Sequence, residues 1–218
     1  MVDVQRDQSL RPSTTGSVVH WAAHYDLLVW LVTLGRERVF RENVLGLAHL
    51  EPGESVLDVG CGTGTLAIAA KRHVGPMGRV NGIDASPEMI ARAGKKASKA
   101  GAEVVFTKAV AEALPFPDAE FDVVLTTVTL HHLGRKARQQ CAREMRRVLK
   151  PGGRVLAVDF GEPSRKRRGL LAHLHRHGHV KLRDIAAVLS EAGLNTVESG
   201  AVGIKDLQFV LAAAPCRT

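Results

Sequence analysis

The chain has 218 residues, of which 45% are hydrophobic and only 4% are aromatic. This length and composition suit one globular domain with an aliphatic core, as in α/β proteins, and leave little room for two full domains. The formal net charge of +8 would suit an anionic partner, or it would simply give a soluble basic surface. No apolar run reaches the roughly 18 to 20 residues that span a bilayer, and residues 1–16 are polar, so we expect a cytoplasmic protein without a signal peptide.

The first predicted elements are two helices, at residues 18–34 and 36–50, separated by Gly35. Runs of β-branched and apolar residues then predict seven strands, at 55–59, 79–84, 103–107, 121–126, 153–160, 196–201 and 207–213. Further helices are predicted from Thr65, from Ser86, near 135–149 and at 182–192.

This order of elements predicts a doubly wound, Rossmann-like α/β fold. The alternation of strands and helices favours a mostly parallel sheet with right-handed crossovers. The last two strands, joined through residues 203–206, predict an antiparallel C-terminal hairpin. Ser86 and Pro87 are typical of a helix start, and residues 150–153 (KPGG) predict a tight turn before a strand.

Three glycines, Gly60, Gly62 and Gly64, lie between the first strand and the helix that follows it. A glycine loop at this place brings backbone N–H groups close to a ligand. The spacing is not the G-x-G-x-x-G pattern of dinucleotide sites, and Asp58 stands two residues before the first glycine. Because a carboxylate would repel a pyrophosphate, we expect a positively charged group, such as the ammonium of an amino acid, at this loop.

Asp84 ends the second predicted strand. A carboxylate about twenty residues after such a loop can accept both hydroxyls of a ribose. Capping of the next helix is the alternative role, but Ser86 is better placed for it. The two features together favour a ligand that contains adenosine.

Four segments resemble, in order, the class I S-adenosylmethionine-dependent methyltransferases. They are LDVGCGTG at 57–64, GIDAS at 82–86, AEALPFPD at 111–118 with FDVV at 121–124, and LKPGGR at 149–154. Within that family the resemblance is to the subgroup that includes the ubiquinone/menaquinone C-methyltransferases and the bacterial phospholipid N-methyltransferases. It implies in-line transfer of a methyl group from S-adenosylmethionine to a small or lipid-type acceptor, with S-adenosylhomocysteine as the product.

The resemblance also implies a set of cofactor-binding residues. They are Asp58 near the amino group, Gly60, Gly62, Thr63 and Gly64 around the methionine and ribose, Asp84 on the ribose hydroxyls, Ala85 and Met89 beside the adenine, Ala111 at the adenine edge, and Thr126 at the methionine. The chain departs from the family at Val110, where an Asp usually contacts the adenine amino group. One hydrogen bond worth about 1 kcal/mol is therefore missing, and weaker cofactor binding is expected.

His131 and His132 follow the fourth strand, at the sheet edge where ligands of open α/β sheets bind. Methyl transfer needs a base only when the acceptor loses a proton, and these two residues are the candidates. The alternative is structural, with one ring packed beneath the loop and the other facing solvent. Asp159 and Glu162, after the fifth strand, are weaker candidates.

By the same resemblance, residues 17–50 form a helical lid over a methyltransferase domain at 51–218, after a flexible segment at 1–16. Tyr25 is the lid residue that we place beside the histidines as a catalytic candidate. The apolar stripe of the first helix (Trp21, Leu27, Leu28, Trp30, Leu31 and Leu34) could meet a lipid acceptor or a membrane, but it could equally be packed in the core.

Neither a disulfide framework nor a metal site is expected. Cys61, Cys141 and Cys216 are odd in number and widely spaced. The alternating His173, His175, His177 and His179 are accompanied by no carboxylate or cysteine.

Three functions remain open from the sequence. A methyltransferase for a small or lipid-type acceptor, with peripheral contact to an anionic membrane, is the first. The second is a methyltransferase that acts on RNA or protein through the basic clusters at 135–147 and 165–168, although the sequence contains no identifiable recognition module. The third is a catalytically inactive, cofactor-binding regulator, for which Val110 is the only hint; the oligomeric state, monomer or homodimer, stays undecided.

Overall fold

The computed structural model describes residues 37–161, 181–204 and 206–216. The helices within them are α1 (Glu37–Leu47), α2 (Thr65–Val74), α3 (Pro87–Lys99), α4 (Arg135–Val148) and α5 (Leu182–Glu191). The strands are β1 (Ser55–Val59), β2 (Arg79–Asp84), β3 (Val105–Lys108), β4 (Phe121–Thr127), β5 (Leu149–Phe160), β6 (Asn195–Ala201) and β7 (Leu207–Ala213). A short 3₁₀ helix, Leu130–His132, follows β4.

The strands form one seven-stranded sheet in the order β3-β2-β1-β4-β5-β7-β6. The strands from β3 to β5 are parallel, whereas β7 lies antiparallel between β5 and β6. Val59 is in register with Ile83 of β2 and with Thr126 of β4, so the ends of the three central strands lie level at one edge of the sheet. The predicted doubly wound fold and its C-terminal hairpin are therefore confirmed.

Both faces of the central sheet are covered, so every residue of β1 is buried, including Ser55 and Asp58. Leu57 and Val59 pack on the face covered by α4 and α5. Val56 packs on the other face, against α1 and α2. The helix α1 contributes Phe40 and Val44 to that second cluster, so it is part of the core.

The largest difference from the predicted strands concerns residues 150–153. They were expected to form a turn, but β5 already begins at Leu149. Phe121 of β4 pairs with Leu149 and Val123 pairs with Arg154, so the four residues between them bulge out of the ladder. Gly152, with φ of 76°, allows this bend. The tight bend was correctly located, and the strand resumes its register after it.

The other predicted boundaries agree within about three residues where the structure describes them, and the largest difference is the end of α1 at Leu47 instead of residue 50. Ser86 caps α3 as predicted, since its hydroxyl accepts the N–H of Met89 at 3.3 Å. The predicted helix at 18–34 lies outside the described residues. None of the described helices is long and apolar enough to cross a membrane.

One edge of the sheet is the strand β6, which is exposed along most of its length. Its ladder with β7 is interrupted between Thr196 and Glu198, where Val197 is an extra residue. The carboxylate of Glu198 lies 3.5 Å from His49. The edge formed by β6 is therefore irregular and carries a charged side chain.

Candidate active site

The glycine loop after β1 is held in place by the end of β2. The N–H groups of Gly60 and Cys61 both donate to the carbonyl of Ile83, at 2.9 Å each. Gly60, Gly62 and Gly64 all have positive φ, of 76°, 53° and 75°. A side chain is thus disfavoured at each glycine, and the backbone of the loop is compact.

Two of these glycines are also required by packing inside the protein. A Cβ atom on Gly60 would overlap the side chain of Thr129. A Cβ atom on Gly64 would lie 2.6 Å from the ring of Phe106. Gly60 and Gly64 are therefore needed for the close packing of neighbouring elements, whether or not a ligand also approaches the loop.

Asp84 joins the glycine loop to the start of α3. Its Oδ2 accepts the N–H of Gly62 at 3.0 Å, and its Oδ1 accepts the N–H of Ser86 at 2.9 Å. Burial raises the pKa of this carboxyl above its usual value, and the two N–H groups oppose the shift. Each oxygen keeps acceptor capacity for a further donor, such as a ribose hydroxyl.

Asp58 is the most unusual group of the site. Asp58 is only 1% exposed, and none of the described residues makes a hydrogen bond of good geometry to either carboxylate oxygen. Burial, and then the nearby Asp84 carboxylate, raise the pKa of Asp58 to about 7, and the backbone N–H of Ala67 only partly opposes this. A buried carboxylate without a partner is costly unless a cation completes the site.

Thr126, at the end of β4, is buried in a similar state. It is 1% exposed, and its hydroxyl has no partner among the described residues. It is in register with Val59, so it faces the opposite side of the sheet from Asp58. The two unsatisfied groups thus lie on either side of the sheet at the same edge.

The residues predicted to lie beside the adenine are also close to the end of β2. Ala109 donates its N–H to the carbonyl of Asp84 at 3.1 Å, which brings the next residues to the end of β2. Val110 forms a bridge with Ala113, and the N–H of Ala111 donates to no other described residue. That N–H is available at the position predicted for the adenine edge.

The remaining adenine candidates, Ala85 and Met89, lie at the start of α3. Met89 is 2% exposed and Ala85 is partly exposed. The structure therefore places all the described cofactor candidates around the ends of β1, β2 and β4.

Lys96 on α3 contacts the glycine loop and was not among the residues predicted from the sequence. Its Nζ donates to the hydroxyls of Thr63 and Thr65, at 2.8 and 2.9 Å. The hydroxyl of Thr63 is thus directed to α3, and its predicted contact with a ligand would come from its backbone. No local signal could have revealed this contact, because Lys96 is more than thirty residues from both threonines.

The 3₁₀ helix after β4 carries His131 and His132. His131 Nδ1 lies 2.7 Å from Asp159 Oδ1, and the His131 backbone N–H donates to Asp159 Oδ2 at 3.0 Å. The two imidazole rings lie 3.9 Å apart, and His132 is exposed. Asp159, which the sequence indicated only as a weaker candidate, is thus the hydrogen-bond partner of His131.

The turn that precedes these histidines is strained. Val128 has φ of 55°, which a β-branched residue rarely adopts. Thr129, next to it, donates its hydroxyl to the carbonyl of Thr127 at 3.0 Å and lies against Gly60. The histidine turn and the glycine loop are therefore in direct contact.

Several sequence candidates fall outside the described residues. They are Tyr25, Glu162 and the histidines at 173, 175, 177 and 179. Over the described ranges, no group of three or more His, Cys, Asp or Glu side chains could hold a metal ion. Cys61 and Cys141 are buried and Cys216 is exposed.

Comparison with known proteins agrees with this geometry. The family model described as "Methyltransferase domain" matches residues 56–153. The ubiquinone/menaquinone biosynthesis C-methyltransferase UbiE of Hahella chejuensis is 39% identical over 145 residues, which are 66% of this chain and 57% of that protein. The chain thus spans little more than half the length of this relative.

Two further matches cover more of the proteins compared. The demethylmenaquinone methyltransferase of Thermus thermophilus is 36% identical over 154 residues, which are 71% of this chain and 69% of that protein. The crystal structure of a SAM-dependent methyltransferase from Aquifex aeolicus superimposes with a TM-score of 0.72 at 26% identity, covering 86% of this chain and 97% of that one. Sequence and fold lead to the same conclusion, and this chain belongs to the family of S-adenosylmethionine-dependent methyltransferases.

Proposed function

We propose that this protein binds S-adenosylmethionine and transfers its methyl group to a small or lipid-type acceptor. The observation that carries the proposal is the buried, unpartnered carboxylate of Asp58 beside the glycine loop. The ammonium of the cofactor's amino acid would supply the missing cation, so the residues present fit this cofactor. A phosphate-bearing cofactor would instead add negative charge next to Asp58 and Asp84.

The other residues would orient the cofactor. The carboxylate of Asp84 would accept from the ribose, and the free N–H of Ala111 would donate to the adenine edge. The buried hydroxyl of Thr126 would contact the methionine part. When bound, the cofactor supplies an electrophilic methyl on a sulfonium, so the protein chiefly has to align the acceptor and exclude water.

A quinone-type ring is the acceptor that we propose. The support comes from the printed names of the relatives, which refer to ubiquinone and menaquinone biosynthesis and to demethylmenaquinone. We also propose that the segment before α1, with Tyr25, acts as a lid over residues 51–218. The helix α1 itself is packed in the core, so the lid role would belong to the part of 17–50 that precedes it.

Peripheral contact with an anionic membrane is proposed for the outer side of α4. Arg135, Lys136, Arg143 and Arg146 lie there, and none forms an ion pair with another described residue. The one acidic residue of the helix, Glu144, is bound by Arg147 at 2.8 Å. Each free cation close to an anionic bilayer is worth about 1 kcal/mol.

Vesicle sedimentation would test this contact. We expect binding to vesicles of phosphatidylcholine with phosphatidylglycerol, none to phosphatidylcholine alone, and weaker binding after Arg143→Gln with Arg146→Gln. Arg183→Gln, which changes an exposed side chain of α5, is the control. Salt-sensitive binding to RNA with no binding to the anionic vesicles would favour an RNA methyltransferase instead.

The test of the cofactor proposal is isothermal titration with S-adenosylmethionine, S-adenosylhomocysteine and NAD. We expect micromolar binding of the first two and none of NAD. Binding of neither would overturn the proposal. Binding without turnover on quinol, lipid or small-amine acceptors would favour the inactive regulator.

A further inference from the structure

The carboxylate of Asp159 is completely buried at the end of β5. It accepts the backbone N–H groups of His131 at 3.0 Å and of Phe160 at 2.8 Å. Its Oδ1 also lies 2.7 Å from Nδ1 of the His131 ring. The groups that surround this carboxylate are thus hydrogen-bond donors, as a buried carboxylate requires.

This contact decides which ring nitrogen of His131 carries the proton. The Asp159 oxygens act as acceptors for the two backbone N–H groups, so in a neutral His131 ring we place the proton on Nδ1, facing Asp159, and the lone pair on Nε2. Nε2 donates to no described residue. The ring is 11% exposed and contacts the rings of His132 and Phe160, with centroids 3.9 and 5.5 Å away.

His132 lacks these features. It is more exposed than His131, and among the described residues no carboxylate holds its Nδ1. Partial burial, and then the neighbouring His131, lower the pKa of His132, which makes a second positive charge beside His131 unfavourable. The two adjacent histidines are therefore not equivalent.

We propose that His131 is the general base of the methyl transfer, that Asp159 positions it, and that the acceptor accordingly carries a dissociable proton, either on the attacking atom or on a group conjugated with it. This inference rests on the proposed function. It excludes acceptors that react without losing a proton, such as tertiary amines and thioethers, as the natural substrates of the site.

For a quinol-type ring we propose the following transfer of the methyl group. Nε2 of His131 takes the proton of a ring hydroxyl, and the electron pair of the resulting phenolate forms the bond from a ring carbon to the methyl group. The methyl–sulfur bond breaks, and its electron pair stays on sulfur as a thioether. The ring carbon then loses its hydrogen as a proton to solvent, which restores the aromatic ring, and the proton on Nε2 returns to the ring oxygen.

The test combines three measurements on the full-length protein. ¹⁵N NMR of the histidine rings reports the tautomer directly, with the His131 signals assigned by their loss in His131→Gln. Calorimetry measures S-adenosylmethionine affinity, and turnover is measured with 1,4-dihydroxynaphthalene as the quinol probe. Asp122→Asn and His49→Asn are matched controls, since Asp122 pairs with Lys150 and His49 with Glu198, away from the histidine turn.

We expect the Nδ1–H tautomer in the wild type and its loss in Asp159→Asn. His131→Gln should lower kcat by about 100-fold or more, and Asp159→Asn by about tenfold or more, with cofactor affinity and KM changed little. An Nε2–H tautomer, or turnover in both variants equal to that of the controls, would overturn the assignment. Cofactor binding without turnover of the naphthalene diol would overturn the acceptor class, whereas loss of cofactor binding in the wild type would refute the proposed function.

Discussion

Replacing Asp58 by Asn should stabilise the free protein at alkaline pH and weaken its cofactor binding. The folded-state pKa of Asp58 is raised from 3.8 to about 7, so the fold favours the protonated carboxyl. The stability that this group contributes is present at acid pH and is lost as the pH rises through about 7. Between pH 5 and pH 8 the wild type should lose about 3 kcal/mol through Asp58, since two pKa units cost about 1.4 kcal/mol each.

The variant carries a neutral amide of the same shape and should not show this loss. Urea denaturation at pH 5 and pH 8 would therefore give a stability difference between variant and wild type that shifts by about 3 kcal/mol in favour of the variant. Comparing the two proteins cancels the titration of groups that do not interact with Asp58, such as His132. An equal pH dependence in both proteins would refute the assignment of an unpartnered, ionisable Asp58.

Ligand binding provides the second half of the test. The variant loses a charge-assisted contact to the cofactor ammonium, so S-adenosylhomocysteine should bind roughly 10 to 100 times more weakly. The matched ligand 5′-methylthioadenosine has no amino-acid part, and its affinity should not change. Equal weakening of both ligands would show that Asp58 acts on the loop and not on the ammonium.

Three further substitutions probe the same edge of the sheet. Asp84→Ala should weaken S-adenosylmethionine binding at least tenfold, and unchanged affinity by calorimetry would remove Asp84 from the site. Gly60→Ala should lower the free energy of unfolding, measured by urea denaturation, by about 2 to 4 kcal/mol, because Gly60 has φ of 76° and a Cβ atom there overlaps Thr129. Gly53→Ala should lower it by only about 1 kcal/mol, because Gly53 has φ of 88° but open space around it. Equal losses in the two variants would contradict the packing argument. Val128→Asn should raise stability by about 1 kcal/mol because Asn tolerates a φ of 55°, and a lower Tm would mean that the packing of the Val128 side chain outweighs its backbone strain.

The sequence was sufficient for the parts of the site that follow a strand directly. Asp58 is the last residue but one of β1 and Asp84 ends β2, and the carboxyl ends of parallel strands must lie at the same edge of the sheet. Their positions depend on local patterns, which the sequence shows. The pairing of Asp159 with His131 depends instead on the register of β5, and the bulge at residues 150–153 sets that register.

Contacts between helices were beyond sequence reasoning for a related reason. Lys96 reaches Thr63 and Thr65 because α2, which packs on β1 and β2, lies beside α3, which packs on β2 and β3. A lysine on an amphipathic helix is most often solvated, and its pattern does not distinguish the two cases. Val128 likewise could not be recognised, since valine gives no signal of a positive φ.

The irregular edge strand β6 bears on how this protein behaves at high concentration. A straight, uncharged edge exposes a row of free N–H and C=O groups, which another chain can extend into a continuous intermolecular sheet. The extra residue Val197 breaks that row, and the carboxylate of Glu198 adds a charge beside it. Aggregation through this edge is thereby opposed, although Val197 itself is 65% exposed.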